Sequence, residues 1–411
     1  MIDIELLRQH PEEIKQGAKK KGVDIDIDQI LKIDKQRREL IQEVEELKAK
    51  KNKISKKQLT EEEIQEAKKI KERIKEVEPE LEKIEEQFNK MLLLIPNPPL
   101  KTAPEGKDEE DNKVIREEGK KPKFKFKPKD YLTIAENLDI IDTKRAAKVS
   151  GSRFGYLKGA AVLLEIALIQ LTMEELRKEN FIPIIPPAMI RPEMMQAMGY
   201  VERGGDEIYH TAKDDLYLIG TSEQSIGPMH ANETIEEKEM PKRYAAFSPC
   251  FRREAGSYGK DTKGILRVHQ FDKIEMFSFC MPTESETEHK EFLKIQERLM
   301  NLLKLPYRVL NICTGDLGDP AAAKFDIETW MPGQKEYRET HSTSNCTDFQ
   351  ARRLNIKYKR GDKQNFVHTV NGTAFAIGRI IISIIENYQK ENGTIEIPKK
   401  LRKYINLKEI K

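Results

Sequence analysis

Residues 248–277 read SPCFRREAGSYGKDTKGILRVHQFDKIEMF, two apolar-rich runs around a basic loop that carries glycines. On a strand, successive side chains alternate between the two faces. Arg252 and Glu254 then share one face, with Phe251 and Arg253 on the other, and the second run aligns Arg267, His269, Phe271, Lys273 and Glu275. The connection AGSYGKDTKG is long for a hairpin, and long loops tend to be functional. Strand, loop and strand could gather a guanidinium, an aromatic face and carboxylates in one concavity. A surface hairpin with cross-strand ion pairs is the plainer reading of the same residues.

Outward from this stretch, YAAFSPCFRRE, ILRVHQFDKIEMFSF, FDIETW and NFVHTV read as strands and AFAIGRIIISIIENYQ as a helix. Strands without regular helix alternation predict an α+β domain around an antiparallel sheet. Upstream, residues 159–176, GAAVLLEIALIQLTMEEL, form a helix apolar nearly all round, which implies burial on several sides. It leads into FIPIIPP, a short strand closed by Pro186 and Pro187.

The first quarter of the chain has a different texture. From Ile33 to Ile95 there is no glycine, charged residues crowd every turn, and Pro79 is the one proline. Apolar residues recur at heptad-like spacing through Ile33, Leu40, Val44, Leu47 and Ile54, with Arg37 and Lys51 in the missing places. A second series runs from Ile64 to Ile95. Between them Thr60 and Glu63 fit a capping box, so the chain should reverse there into an antiparallel two-helix hairpin, about 28–95, with Pro79 able to kink the second limb. Near the tip, Lys48, Lys50, Lys51, Lys53, Lys56 and Lys57 fall together with no acid among them. Such an end suits a nucleic-acid backbone, although a coiled coil of this kind also serves as a dimerisation arm or spacer. The prolines of IPNPPL end the arm, and the polar stretch after it places the boundary near 105, giving a helical domain over 1–105 and a second domain over 106–411.

Composition narrows the function classes. The chain has 411 residues, with 73 Lys plus Arg against 70 Asp plus Glu, so nucleic-acid affinity must come from local patches. Four widely spaced cysteines argue against a disulfide framework or a Cys-rich zinc module, and no apolar run is long enough for a membrane span or export signal. A cytoplasmic protein is expected. Neither a P-loop nor a G-x-G-x-x-G fingerprint is present, and no H-E-x-x-H occurs.

The run 248–277 resembles motif 2 of the seryl-tRNA synthetases, a class II aminoacyl-tRNA synthetase family. The likeness extends over essentially the whole chain: AAKVSGSRFGYLKG with the helix leading into FIPIIPP resembles the approach to the catalytic domain and motif 1, and VNGTAFAIGRIIISIIENYQ resembles motif 3. CTGDLGDPAAAKFDIETWMPGQKEYRE and SNCTDFQARR resemble segments between them, and the basic hairpin is similar to the family's tRNA-binding arm. The resemblance implies a class II catalytic domain behind a coiled-coil arm. It implies activation of L-serine by ATP with Mg²⁺, and transfer of serine to the 3′ end of tRNA(Ser), with tRNA(Sec) as a further acceptor. It also implies a homodimer. A paralogue loading a carrier protein would not need the basic arm, and a silent RNA-binding relative would not need Arg252, Glu254, Glu275, Glu339 and Arg379.

By the same resemblance Arg252 holds the α-phosphate and the serine carboxylate, since a planar fork suits oxyanions. Arg253, Glu254, Val268 and Phe271 belong to the ATP site, Phe271 stacking on adenine and Arg379 covering its other side. Glu339 and Ser342 match positions that hold Mg²⁺, with Thr340 and His341 between them at the ATP site. Serine recognition falls on Thr221, Ser222, Glu223, Glu275 and Thr373, and Lys48, Lys50, Lys51, Lys53, Lys56 and Lys57 fall to tRNA. Two departures from the family's pattern touch the rim: Gln224, Ser225 and Ile226 follow Glu223 where an apolar segment is common, and ETHS stands where EISS or EVSS is usual. His341 beside the metal position is thus expected to make ATP affinity depend on pH.

Overall fold

A computed structural model describes residues 1–54, 60–255, 261 and 263–411. The described residues fall into two compact units, Met1–Pro98 and Pro99–Lys411.

In the first unit, α1 (Ile4–Gln9) and α2 (Pro11–Lys20) precede the limbs α3 (Ile27–Ile54) and α4 (Glu61–Leu93). Ile30, Ile33 and Val44 on α3 are buried, as are Ile70, Ile74, Val77 and Phe88 on α4. Arg37, at a gap in the apolar series, lays its guanidinium 4.9 Å from the centre of the Phe88 ring. The cross-limb pairs Arg37–Glu85 at 3.6 Å and Lys48–Glu78 at 2.8 Å fix the antiparallel sense. Thr60 and Glu63 form the reciprocal capping box. The helix continues through Pro79. At the root of the arm Asp34 is fully buried, and Arg8 grips both its carboxylate oxygens at 2.8 and 2.9 Å while Arg38 adds a third contact at 3.2 Å.

The second unit is built on eight strands: β1 (Lys113–Glu118), β2 (Ile182–Ile184), β3 (Lys242–Phe251), β4 (Gln270–Cys280), β5 (Tyr307–Asn311), β6 (Ala323–Met331), β7 (Glu336–Thr347) and β8 (His368–Ala376). Their order is β1-β5-β6-β7-β8-β4-β3-β2, antiparallel except where β2 joins β3. Three helices, α5 (Ala160–Lys178), α6 (Ser285–Leu303) and α7 (Ile377–Asn387), share one core with Ile274 and Met276 of β4, Ile327 of β6 and Val370 of β8. The segment just after the arm belongs with this unit, because Leu100 donates its N–H to Ala322 and Ala103 packs with Leu310 and Ile312. The division thus falls after Pro98, seven residues short of the boundary near 105 that the polar stretch suggested. All four cysteines are free and buried, and no described helix is long and apolar enough to cross a membrane.

The strand pair quoted first is shorter than its alternation suggested. β3 ends at Phe251 and β4 begins at Gln270, so Arg252, Glu254, Arg267 and His269 lie in the connection. The N–H of Arg252 donates to His269 O, which brings the two ends of that connection together, and Glu254 takes a left-handed φ of 52°. Residues 256–260 and 262 of the loop lie outside the described residues.

Candidate active site

A cavity of about 320 Å³ opens where β4, β7 and β8 meet the connection between β3 and β4. Three alternate residues of β4, Phe271, Lys273 and Glu275, line it, while Ile274 between them and Met276 just after them belong to the core shared with the helices. β8 supplies Thr373 opposite Glu275, with a bulge at Ala374 restoring Ala376 to the cavity side opposite Lys273. On β7 a second bulge, at Thr340, puts Glu339 and Ser342 on the same side although they are three residues apart. Arg379 enters from the first turn of α7.

The deep end is a closed network. Lys273 sets its Nζ 2.5 Å from Glu275 and donates to the Thr221 hydroxyl at 2.7 Å. Thr373 lies 3.4 Å from the same Glu275 oxygen. Glu223 is buried, one oxygen accepting from Tyr200 Oη and the other from Gln350 Nε2, both at 2.8 Å. Burial and the charge of Glu275 raise its carboxyl above the ordinary range, against the pull of Gln350, Tyr200 and Lys273.

The mouth is lined with cations. Arg252 donates from Nε to Gly220 O at 3.1 Å and places its guanidinium 5.3 Å from the Phe271 ring centre. Arg267 holds Glu254 at 2.6 Å, and Arg379 reaches Glu339 through its carbonyl and carboxylate at 2.9 and 3.1 Å. Burial works against the charge on Glu339, yet Arg379, Lys324, Arg252 and Arg267 keep its carboxyl below the ordinary value. Lys324, on β6, lies 3.2 Å from Asp326. Burial opposes its charge, but Asp326 and Glu339 hold the ammonium above its usual value. Guanidiniums at the mouth suit a phosphate, and buried carboxylates at the base suit an ammonium.

Comparison with known proteins identifies the frame. The seryl-tRNA synthetase N-terminal domain profile matches residues 1–99, and that of the tRNA synthetase class II core domain (G, H, P, S and T) matches residues 207–388. The chain belongs to the seryl-tRNA synthetase family. It is 46% identical to the serine–tRNA ligase of Dictyoglomus turgidum and 43% identical to that of Fervidobacterium nodosum, in each case over 100% of this chain and 99% of the relative. Among solved structures it superposes with a TM-score of 0.93 on the seryl-tRNA synthetase of Pyrococcus horikoshii complexed with ATP, at 43% identity over 100% of this chain and 99% of that one. The cytoplasmic serine–tRNA ligase of Naegleria fowleri in complex with AMP gives 0.90 at 34% identity and the same coverage. The chain is therefore an aminoacyl-tRNA ligase of the serine type.

Within this family frame the cavity gathers most of the residues singled out in the sequence: Thr221, Glu223, Arg252, Glu254, Val268, Phe271, Glu275, Glu339, Thr340, Ser342, Thr373 and Arg379 all line it. Three do not. Ser222 is fully buried and bonded to the Ser248 hydroxyl at 2.7 Å, and Arg253 is exposed with its N–H on Glu207 O. His341 points into the core, 5.6 Å from the Phe375 ring centre, with Nδ1 against the Thr340 hydroxyl at 2.9 Å. The bulge at Thr340 turns it away from the metal position. Burial holds its imidazole at about 3, so it stays neutral across pH 6–8 and cannot carry the pH dependence expected above. Replacing His341 with Ser should leave ATP KM within about twofold at every pH from 6 to 8 while costing about 1–3 kcal/mol of stability. A pH-dependent KM in that variant would contradict this placement.

The strand alternation already aligns Arg267 and Lys273 with Phe271 and Glu275 without giving either a role. Sequence reasoning passes over Lys324, Tyr200 and Gln350, which meet the site only through the fold.

Proposed function

We propose that this cavity activates L-serine with ATP and then transfers the seryl group to the terminal adenosine of tRNA(Ser). In the first step the serine carboxylate attacks the α-phosphorus, a mixed anhydride forms and pyrophosphate leaves. Arg252 holds the α-phosphate and the carboxylate together, and Phe271 carries the adenine face. Arg379 covers the other face of the base and reaches the γ-phosphate, letting go of Glu339 to do so. At the deep end Glu223 and Glu275 take the serine ammonium and hydroxyl with Thr221 and Thr373. A substrate without the hydroxyl would leave these buried groups unpaired, which rejects alanine. In the second step a ribose hydroxyl attacks the carbonyl and AMP leaves.

Glu339 and Ser342 would hold Mg²⁺, which neutralises phosphate charge when bound. The donors fit: both are hard oxygens, few protein ligands suit an ion that keeps waters and phosphates, and Asp326, opposite Ser342, has a buried Oδ1 without a hydrogen-bond partner among the described residues. Homodimer formation has support in the apolar side chains Val162, Leu163 and Ile166 on α5 and Ile182 and Ile185 beside it, all exposed, Ile185 to 84%. On the arm, Lys50, Lys51 and Lys53 are exposed and form no ion pair among the described residues, whereas Lys48 pairs with Glu78, so the first three are the better cations for the RNA; Lys56 and Lys57 lie outside the described residues. Four free cysteines suit a reduced, cytoplasmic setting.

The observation that carries this reading is the cavity's polarity, cations at the mouth and two buried carboxylates beneath. The test is amino-acid-dependent ATP–pyrophosphate exchange, followed by aminoacylation of tRNA(Ser) and tRNA(Sec). Exchange with serine but not alanine or threonine, then charging of tRNA(Ser), is the expected result. Exchange with another amino acid, or no charging of RNA, would overturn it.

A further inference from the structure

Residues 120–129, KKPKFKFKPK, carry six lysines and no acid. They belong to neither helix nor strand, yet exposure alternates strictly: Lys121, Lys123, Lys125, Lys127 and Lys129 are exposed, while Pro122, Phe124, Phe126 and Pro128 are half-buried. The Phe124 and Phe126 rings meet at 5.1 Å on the less exposed side of the strap, and the lysines lie on the other. Lys121 lies over the rings of Trp330 and Tyr337, at 4.0 and 4.5 Å. None of the six forms an ion pair among the described residues. In extended chain, alternate side chains recur about every 6.6 Å, so the charges form a line rather than a cluster.

The course of this line matters more than its charge. It leaves the end of edge strand β1 and crosses the turn between β6 and β7, where the Lys129 carbonyl passes so close to Gly333 that an added Cβ would meet it at 2.4 Å. Gln389 closes on both the N–H and the carbonyl of Lys129, at 2.8 and 2.9 Å. Two residues on, the Tyr131 hydroxyl accepts the N–H of Ile265 at 2.8 Å, and Ile265 lines the cavity. The basic strap therefore leads, two residues on, into the Tyr131 side chain that supports Ile265 in the cavity wall.

We propose that the strap is a docking track for the sugar-phosphate backbone of the acceptor RNA, guiding its 3′ end toward the cavity. The proposal rests on the reading of the chain as a ligase that charges RNA. Charge complementarity and continuity with the cavity select RNA as the occupant, because the substrate whose end must enter there is a polyanion.

The test is the triple variant Lys123→Ala, Lys125→Ala, Lys127→Ala, which keeps both phenylalanines. Its tRNA KM in aminoacylation should rise roughly fivefold or more, and the slope of log affinity against log salt should fall by about 2, from about 0.7–0.9 per phosphate contact. Serine-dependent exchange, which needs no RNA, should match the parent. Parental KM and slope in a charging-competent variant would overturn the strap and leave the ligase reading intact. Equal losses in exchange and charging would also overturn it, by showing a structural role. Exchange without RNA charging in the parent itself would overturn the ligase reading, and the strap with it.

Discussion

Arg252→Ala should lose serine-dependent pyrophosphate exchange by at least about 10²–10³-fold, the scale of removing a preorganised donor to a developing oxyanion. In the structure this side chain is exposed, makes one bond among the described residues, to Gly220 O, and rests on Phe271, so little of the fold depends on it. The loss should fall mainly on kcat, with a thermal midpoint close to the parent's. Arg252→Lys should not restore activity, since a single ammonium cannot bridge two oxyanions as a planar fork does. An alanine variant that retained a tenth or more of parental exchange would remove Arg252 from the centre of the reaction.

The second large effect is expected at Lys273, which the strand alternation places beside Phe271 and Glu275 but to which no sequence motif assigns a role. Its ammonium is the cation in contact with Glu275, and it also pulls on Glu223. With Lys273→Met, two buried carboxylates face each other without that counter-charge, and breaking a buried pair on one side costs about 3–5 kcal/mol. One carboxyl should then take up a proton. Serine KM should rise roughly 100-fold, while ATP KM moves little.

The sign of the pH effect follows from Glu223. Burial and Glu275 raise its carboxyl above the ordinary value, so it becomes neutral at a higher pH than a free glutamate as acid is added. The folded state tolerates that protonation, but serine's ammonium loses a partner. Parental serine KM should therefore rise on acidification, at a higher pH than an ordinary glutamate would give, and the rise should begin at still higher pH in Lys273→Met. Because that variant could be too unstable to assay, Lys273→Met with Glu275→Gln is the companion. Removing the second charge should recover stability without recovering serine affinity. Parental serine KM in either variant would contradict the role given to Lys273.

How far the sequence discloses this site depends on where the backbone keeps its period. Phe271, Lys273 and Glu275 obey the alternation of two and fall on the cavity side as expected. The arm is equally readable, because heptad spacing, the absence of glycine and the Thr60–Glu63 box act locally. Failures cluster where one residue is out of step. At Thr340 and Ala374 an inserted residue changes the phase of the strand, so Glu339 and Ser342 come together and His341 turns inward. No residue type announces such a bulge. Arg252 and Glu254 reach the cavity for a reason other than the one inferred, since the strand has ended and a loop carries them. Tyr200 and Gln350 reach Glu223 across 23 and 127 positions of chain, a meeting only the assembled fold can make.

The Asp34 clamp at the root of the arm has a mechanical meaning. α3 is a lever that extends about 30 Å beyond Asp34 at 1.5 Å per residue, so angular play of about 5° there would sweep its far end through roughly 2.6 Å, close to the length of a hydrogen bond. Arg8 on α1 and Arg38 on α3 both close on Asp34, and although burial works the other way, Arg8, Arg38 and Arg37 hold its carboxyl below the ordinary range. The contact between α1 and α3 thus persists until the medium is more acidic than would release an ordinary carboxylate. Precision at the lysine-bearing tip is set at the opposite end of the lever, by one buried anion that touches no RNA.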